Sequence, residues 1–212
     1  MVLFFTPRGD GVLYMGRDKH ENEDLIKYGL PEDVWFHVDD MSSAHVYLRL
    51  GRGKSIADIG KEELEDAAQL CKANSIQGSK TSSVTVVYTP WANLKKTAQM
   101  DVGQVGFHDE KAVLRIGVPG KSNEILNRLN KTKQERFPNL AAEREAYDAA
   151  VRQERRAQER VRRKEEEQLQ RERAKEVEER SYSRIMDSAK MVANTEAAAK
   201  YATVAEAEED FM

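Results

Sequence analysis

The sequence predicts an α+β domain, an antiparallel-rich sheet with packed helices, followed by a long charged C-terminal helix. Short β-like runs separated by Gly, Pro, Asp and Ser clusters dominate the first 120 residues. Helical patterns interrupt these runs, and a highly charged segment follows Pro138. We expect residues 1–138 to form the α+β domain, residues 139–181 the coiled-coil-like helix, and residues 182–212 a short helix or disordered acidic tail.

Seven apolar runs have the length and composition of β-strands. They are rich in Val, Phe and Tyr, which favour extended backbone. Because helical segments lie between them, we expect at least one face of the sheet to be covered. The runs are VLFFT from Val2, VLYMG from Val12, VWFHV from Val34, HVYLRL from His45, VTVVYT from Val84, GQVGF from Gly103 and AVLRIGV from Ala112.

Three segments of the predicted domain read as helices. The segment 21–29 starts with acidic residues and ends at a glycine, and the segment 61–75 carries an apolar stripe at helical spacing. The segment 122–137 has Ser122 as its N-cap candidate and ends before Pro138.

A much longer helix is predicted from Asn139, its N-cap candidate, to about Arg180. Its apolar positions are too sparse and irregular for a heptad seam. Opposite charges four residues apart instead stabilise a solvated helix, each pair by about 0.2–0.5 kcal/mol. Such pairs are Arg155/Glu159, Glu159/Arg163, Glu167/Arg171 and Glu176/Arg180.

The bulk charge does not indicate a nucleic-acid-binding protein. The formal net charge is −3, and residues 1–140 carry 19 basic and 19 acidic residues. Nucleic-acid binding would therefore need a local basic patch. Cys71 is the only cysteine, as is typical of a reducing compartment. No run approaches the roughly 18 apolar residues that span a bilayer, so we expect a cytoplasmic or nuclear protein, with membrane association left open.

The stretch DVWFHVDDMSSAHVYLRL, residues 33–50, contains two runs with strand alternation. Period two places Val34, Phe36 and Val38 on one face and Trp35 and His37 on the other. The second run likewise separates its aliphatic positions from the polar and aromatic ones. If the two strands pair as a hairpin, one face gathers Trp35, His37, His45, Tyr47 and Arg49.

Four interpretations of this face compete. The two histidines with a nearby aspartate could bind a metal, although no ligand spacing fixes such a site. A histidine with Ser42 or Ser43 and an aspartate could be catalytic, although nothing resembles a nucleophile elbow. The aromatic rings could stack on bases while arginine and histidine reach phosphates. Alternatively, the face is buried under another element and its histidines are satisfied core residues.

Two further segments combine basic residues with features of nucleic-acid contacts. Around Tyr88 and Trp91, three lysines alternate with aromatic residues: Lys80, Lys95 and Lys96. The segment 152–164 carries seven basic and two acidic residues, and it either grips phosphates or forms a solvated helix face. Its arginines are Arg152, Arg155, Arg156, Arg160, Arg162 and Arg163. The segment GRGKS, residues 51–55, lacks the first glycine of a phosphate loop, because Leu48 stands there.

Long motifs of this chain resemble the NFACT-R family, in particular its small stand-alone members. The resemblance extends over nearly the whole chain. It rests on DVWFHVDDMSSAHVYLR, KANSIQGSK, VTVVYTPWANLKK, DVGQVGFH, NEILNRLNKTKQERFPNLAAE, RSYSRIM and the final DFM.

The resemblance implies an RNA-binding domain. Family motif positions fall on Asp33, Trp35 and His37, on Ser43 and His45, and on Lys72, Lys80, Tyr88, Thr89, Lys95 and Lys96. Large family members act in ribosome-associated quality control, where they extend stalled chains. Their N-terminal domain and tRNA-holding arms are not found in this sequence, so chain extension is not expected here. Animal stand-alone members are associated with DNA sensing at the cell surface.

We therefore expect a non-enzymatic protein that binds RNA or DNA, with no catalytic residues, metal ion or cofactor. The aromatic and histidine face and Arg49 would orient the ligand, and the lysines and helix arginines would supply charge. A link to the ribosome through the long helix is a further expectation. The main alternative is a protein-interaction adaptor, in which the long helix binds a partner and the β domain is a scaffold. The oligomeric state is left open.

Overall fold

An antiparallel sheet is the central element of the computed structural model, which describes residues 1–181. Within these residues, seven strands pair in the order β8-β5-β3-β4-β2-β1-β9, and β6 and β7 form a separate ribbon. In chain order the strands are β1 (Val2–Phe5), β2 (Val12–Gly16), β3 (Asp33–Val38), β4 (Val46–Arg49), β5 (Val84–Pro90), β6 (Leu94–Lys95), β7 (Gly106–Phe107), β8 (Leu114–Val118) and β9 (Gln134–Arg136).

The helices of the described residues begin and end near the predicted positions, except that the helix predicted over residues 122–137 ends early, at Lys131. Asp18 caps α1 by accepting from the backbone N–H groups of His20 and Glu21. As predicted, Asn139 caps the long helix, because its Oδ1 accepts from the Ala142 N–H. The helices are α1 (Lys19–Tyr28), α2 (Lys61–Ala73), α3 (Asn123–Lys131) and α4 (Leu140–Arg180).

One side of the sheet, the aliphatic face, forms the larger part of the core. Val34, Phe36 and Val38 are at most 2% exposed there, as the alternation predicts, and they belong to the same cluster as Cys71 of α2 and Leu129 of α3. Each such side chain contributes about 1.5–3 kcal/mol by leaving water. Burial of this side therefore fixes which residues face the other way.

The opposite side, the aromatic face, carries one ring on each of four neighbouring strands. Trp35 of β3 is paired with Tyr47 of β4, Tyr47 with Tyr14 of β2, and Tyr14 with Phe4 of β1. Residues of α1, of the β6–β7 ribbon and of the start of α4 pack against this row: Leu25, Leu94, Phe107 and Leu140. The predicted α+β class and the β3–β4 hairpin are confirmed.

The predicted helix over residues 122–137 is wrong in its second half. The helix ends at Lys131, and residues 134–136 form β9, which pairs with the outer edge of β1. The buried side chains of α3 are Ile125, Leu126 and Leu129, so no apolar anchor continues the helical stripe beyond Leu129. The unpaired backbone groups of β1 offer hydrogen bonds to the following residues instead.

The predicted strand GQVGF is likewise shorter than expected. Only Gly106 and Phe107 are extended, and they pair with Leu94 and Lys95, which came from no predicted run. This ribbon matters for the site below because it lies over the aromatic face.

The first compact unit ends at Val151 and thus includes the first turns of α4. In the second unit, helical residues 152–180 are all exposed. The predicted Glu167/Arg171 pair is present, with an N–O distance of 3.0 Å, and Arg162 pairs with Glu166 at 3.6 Å. Residues 182–212, for which we predict a short helix or acidic tail, lie outside the described residues.

Candidate nucleic-acid interface

Three rings form the centre of the site. The indole Nε1 of Trp35 donates a hydrogen bond of 3.0 Å to Nδ1 of His45. The His37 ring lies parallel to the Trp35 ring, with an interplanar angle of 6° and centroids 5.4 Å apart. His37 and His45 meet edge to face at 5.1 Å, and Phe107 of β7 contacts Trp35 edge-on at 5.7 Å. As alternation predicts, these side chains share one face of the sheet.

Serine hydroxyls hold the β3–β4 connection that places His45. The Oγ of Ser43 accepts a 3.0 Å hydrogen bond from the Val38 N–H and donates to the Ala44 carbonyl at 3.2 Å. Ser75, just after α2, donates to the Ser42 carbonyl at 2.7 Å. The loop is therefore tied both to its own strand and to the helix on the other side of the sheet.

Both histidines are uncharged at neutral pH. Burial, reinforced by the neighbouring His37, lowers the pKa of His45 to about 4, and burial also lowers the pKa of His37. Because Nδ1 of His45 accepts a hydrogen bond from the indole N–H, the neutral ring of His45 carries its proton on Nε2. The pair thus offers hydrogen bonds and flat ring surfaces rather than positive charge.

A cleft of about 650 Å³ lies beside this pair, at the end of the sheet where β2 ends and β4 begins. Its lining combines the buried or half-buried His37, Ser43 and His45 with the exposed cations Arg17 and Lys19. A smaller cleft of about 280 Å³ also includes His37 and His45, so the pair lines both cavities.

The lining of the larger cleft includes an unsatisfied polar group and exposed apolar side chains. Asn22 is 8% exposed, and its Oδ1 is buried without a hydrogen-bond partner in the described part of the chain. Ile76 and Val102 line the same cleft and are 77% and 47% exposed. This combination of exposed cations, hydrogen-bonding groups and apolar surface suits a nucleotide better than it suits a simple ion.

The structure corrects the expectation that Trp35 and Tyr47 stack on bases. Trp35 is 2% exposed and Tyr47 is 0% exposed, because α1 and the β6–β7 ribbon cover the aromatic face. Neither ring has a free face for a ligand in this conformation. Of the four interpretations, burial of the face under another element is the one that describes Trp35 and Tyr47. His37 remains half-buried beside the cleft.

Three predicted phosphate-binding cations are engaged inside the fold. Arg49 pairs with the buried carboxylate of Asp33 at 2.8 Å. Lys72 is 0% exposed, and its ammonium donates to the backbone carbonyls of Ser82 and Pro119. Lys96 donates to Glu23 at 2.6 Å and to two backbone carbonyls. A buried or paired cation is not free to exchange its partners for phosphate at low cost, so structural roles account for these three residues.

The remaining predicted residues of the first unit divide between surface and core. Lys80 and Lys95 are exposed. Tyr88 is half-buried and stacks on Phe36 at 5.4 Å, which places it on the aliphatic face, opposite Trp35. The structure therefore does not bring Tyr88 together with the histidine pair. Ser43 does line the cleft, although its hydroxyl already bonds to the backbone.

The predicted helix arginines all belong to the second unit and are exposed. Arg162 pairs with Glu166 at 3.6 Å. Their proposed contacts with phosphate stay a prediction. They are Arg152, Arg155, Arg156, Arg160, Arg162 and Arg163.

Sequence reasoning missed several residues that line the clefts. Arg17 and Lys19 flank the helix cap Asp18, and a basic pair just before a predicted helix was the available signal. Gly103 lines both clefts but reaches them only through the fold of the segment between β6 and β7. Phe137, which is 83% exposed and lies outside these two clefts, was missed because residues 132–137 were wrongly assigned to a helix.

Residues 1–181 offer neither a metal-binding cluster nor a helix that could span a membrane. This part of the chain contains no group of three or more His, Cys, Asp or Glu side chains placed to hold a metal ion, so the histidine pair has no third ligand there. None of its helices combines the length and the hydrophobicity that crossing a lipid bilayer requires.

Comparison with known proteins gives a family match over the first half of the chain. Residues 1–109 match the family described as the NFACT protein RNA binding domain. This range contains the histidine pair and the residues that line both clefts.

The chain is also similar to curated proteins over most of its length. It is 60% identical to coiled-coil domain-containing protein 25 of Danio rerio and 58% identical to that of Mus musculus, in each case over 92% of this chain and 95% of the relative. It is 45% identical to protein JLP2 of Saccharomyces cerevisiae over 61% of this chain and 64% of that protein.

Because His45 is buried in its neutral form, the free energy of unfolding should depend on pH. The pKa of His45 is about 4 in the fold and about 6.5 in the unfolded chain, so the unfolded chain binds a proton first. The contribution is fully present above pH 6.5 and is lost as the pH falls toward 4, by about 3 kcal/mol. Urea unfolding at several pH values between 7 and 4 measures this loss.

The matched variants are His45→Gln, whose amide oxygen can still accept from the indole, and His108→Gln at an exposed position. We expect His45→Gln to flatten the pH dependence of the unfolding free energy and His108→Gln to leave it unchanged. Identical pH dependence in the wild type and His45→Gln would contradict the assignment.

Proposed function

Because the chain belongs to the NFACT-R family of RNA binding domains, we propose that it is a non-enzymatic protein that binds single-stranded nucleic acid. RNA is the ligand favoured by the family description. The observation that carries the proposal is the cleft beside His37 and His45, where uncharged hydrogen-bonding groups lie next to the exposed cations Arg17 and Lys19.

The groups that line the cleft differ in chemistry, and each kind would contact a different part of the nucleotide. Arg17 and Lys19 contact the phosphates, and release of counterions from the strand drives that step. The histidine pair and the serine loop hydrogen-bond to a base or ribose that enters the cleft. Ile76 and Val102 cover apolar surface of the nucleotide. Stacking by exposed surfaces and charge on the backbone suit single strands, whose bases are accessible.

Additional cations would extend the contact along the strand. Lys80 and Lys95 are the exposed lysines of the predicted set in the first unit. In the second unit, the arginines between Arg152 and Arg163 would add phosphate contacts. We infer a protein of the cytoplasm or nucleus, with ribosome-associated quality control as the process for an RNA ligand. DNA sensing at the cell surface is the corresponding role if the ligand is DNA.

The cleft predicts a specific change in salt dependence. The double variant Arg17→Gln/Lys19→Gln should weaken binding of an unstructured 20-nucleotide RNA roughly fivefold to tenfold at low salt. Because each phosphate contact contributes about 0.7 to the slope of log K against log salt for single strands, the slope should fall by about 1.4. Fluorescence anisotropy at several salt concentrations measures both quantities.

The matched control is Lys54→Gln/Lys61→Gln, which removes the same charge from exposed positions that do not line the cleft. It should change affinity and slope much less. If the two double variants behave alike, charge in general rather than this cleft governs binding, and the proposed site is wrong.

A second candidate, a protein-interaction adaptor, is favoured by one observation on the long helix. Val161, Leu169 and Val177, spaced eight residues apart, are 56%, 48% and 67% exposed and are therefore accessible to a protein partner.

Two full-length variants separate the candidates. Replacing the six helix arginines with glutamine should weaken RNA binding, and replacing the three aliphatic residues with serine should leave it unchanged. The adaptor role predicts instead that the serine variant loses protein partners in pulldowns while RNA binding is dispensable. RNA binding unaffected by the arginine changes would remove the helix from the nucleic-acid interface.

A further inference from the structure

Phe137 is far more exposed to solvent than the other Phe, Tyr and Trp side chains of residues 1–181. It is 83% exposed, whereas every other aromatic side chain in that range is buried or half-buried. An exposed phenylalanine forgoes much of the free energy that burial provides. Its position is nevertheless fixed, since the preceding Arg136 is paired with Val2 in the sheet and the following Pro138 and Asn139 lead into the capped helix α4.

The ring of Phe137 has open space on more than one side. It lines a cleft of about 450 Å³ together with Phe4, Tyr14 and Arg136. It also lines a separate cleft of about 460 Å³ with Tyr28 and Asn139. An exposed aromatic ring on an anchored backbone, between two open clefts, is accessible for stacking by a planar group.

The first of these clefts, of about 450 Å³, lies at the Phe4 end of the aromatic row. The guanidinium of Arg136 lies 5.0 Å over the ring of Phe4, and that of Arg49 lies 5.0 Å over the ring of Tyr14. Arg136 is oriented by hydrogen bonds from its Nε and Nη2 to Oε1 of Gln134. Aromatic surface and oriented guanidinium planes are the groups on which unpaired bases stack.

One acidic residue narrows the choice of ligand. Glu143 lines the cleft and pairs loosely with Arg49, at an N–O distance of 3.7 Å. A carboxylate disfavours a phosphate in this cleft but accepts hydrogen bonds from the N–H groups of a base. An apolar peptide side chain would form a hydrogen bond with neither the guanidinium of Arg136 nor this carboxylate.

We propose that Phe137 and the Arg136 guanidinium, which lies over the ring of Phe4, form a stacking subsite for one unpaired nucleobase, with Glu143 accepting a hydrogen bond from the base. The inference rests on the proposed function and adds a second contact point on the same strand, separate from the histidine cleft. It assigns base stacking to the Phe4 end of the aromatic row, since Trp35 and Tyr47 are covered.

The test uses the full-length protein, an unstructured 20-nucleotide RNA and a 20-nucleotide RNA backbone that is abasic at every position. The wild type should bind the intact RNA more tightly than the abasic one. Phe137→Ala should weaken binding of the intact RNA roughly tenfold, the loss typical of one stacked base. It should change binding of the abasic RNA much less, because no base is left to stack there.

Two substitutions at the same position separate stacking from apolar contact. Phe137→Trp keeps a planar ring and should retain wild-type affinity, whereas Phe137→Leu keeps apolar surface without the ring and should behave like Phe137→Ala. Leu114→Ala, at a 42% exposed position on β8, is the matched control and should change nothing. Thermal unfolding confirms that each variant is folded, as expected for exposed positions.

The outcomes distinguish a failure of this subsite from a failure of the proposed function. If the wild type binds neither RNA, the proposed function itself is wrong and the subsite falls with it. If the wild type binds RNA and Phe137→Ala binds equally well, the function stands and the subsite is overturned. If Phe137→Leu binds like the wild type, or if Phe137→Ala changes only the oligomeric state in sedimentation, the ring serves a protein contact and the subsite is likewise overturned.

Discussion

The hydrogen bond from the Trp35 indole to Nδ1 of His45 is the interaction on which the candidate site depends. A buried indole N–H without an acceptor would cost about 1–3 kcal/mol, and His45 supplies that acceptor only in its neutral form. The bond therefore fixes the tautomer of His45, joins β3 to the loop before β4, and sets the plane on which His37 stacks. The larger cleft takes its shape from this arrangement.

The elements that pack on the aromatic face determine which parts of the aromatic row meet the solvent. The row runs across four strands, and three of its rings, Trp35, Tyr47 and Tyr14, are at most 2% exposed. The proposed ligand contacts therefore lie at the margins: at the histidine cleft beside Trp35, and at the edge where Phe4 meets Arg136. In this proposal the aromatic sheet surface serves mainly as scaffold, and the binding side chains are those that the covering elements leave exposed.

Local patterns in the sequence predict the faces of the strands but not what covers them. Alternation correctly separates Phe36 from Trp35, because the pleat of a strand has a strict period of two. Burial of Trp35 depends on the β6–β7 ribbon, two residues per strand, which has no periodic signal and forms only by long-range pairing. Lys72 misleads for a similar reason, since the carbonyls that bind its ammonium come from residues 82 and 119. Phe137 was missed because β9 forms on the edge of β1, at the other end of the sequence.

We propose that nucleic acid binds around the Trp35–His45 pair without opening it. Nitrogen-15 NMR of the Trp35 indole tests this directly, because its N–H resonance reports both the hydrogen bond and exposure to water. On saturation with single-stranded RNA, the resonance should keep its position and its slow exchange with solvent, while backbone signals of the serine loop and of residues near Gly103 shift. Rapid exchange or a large shift of the Trp35 indole signal would show that the ring itself is exposed and stacks on a base, which contradicts the account.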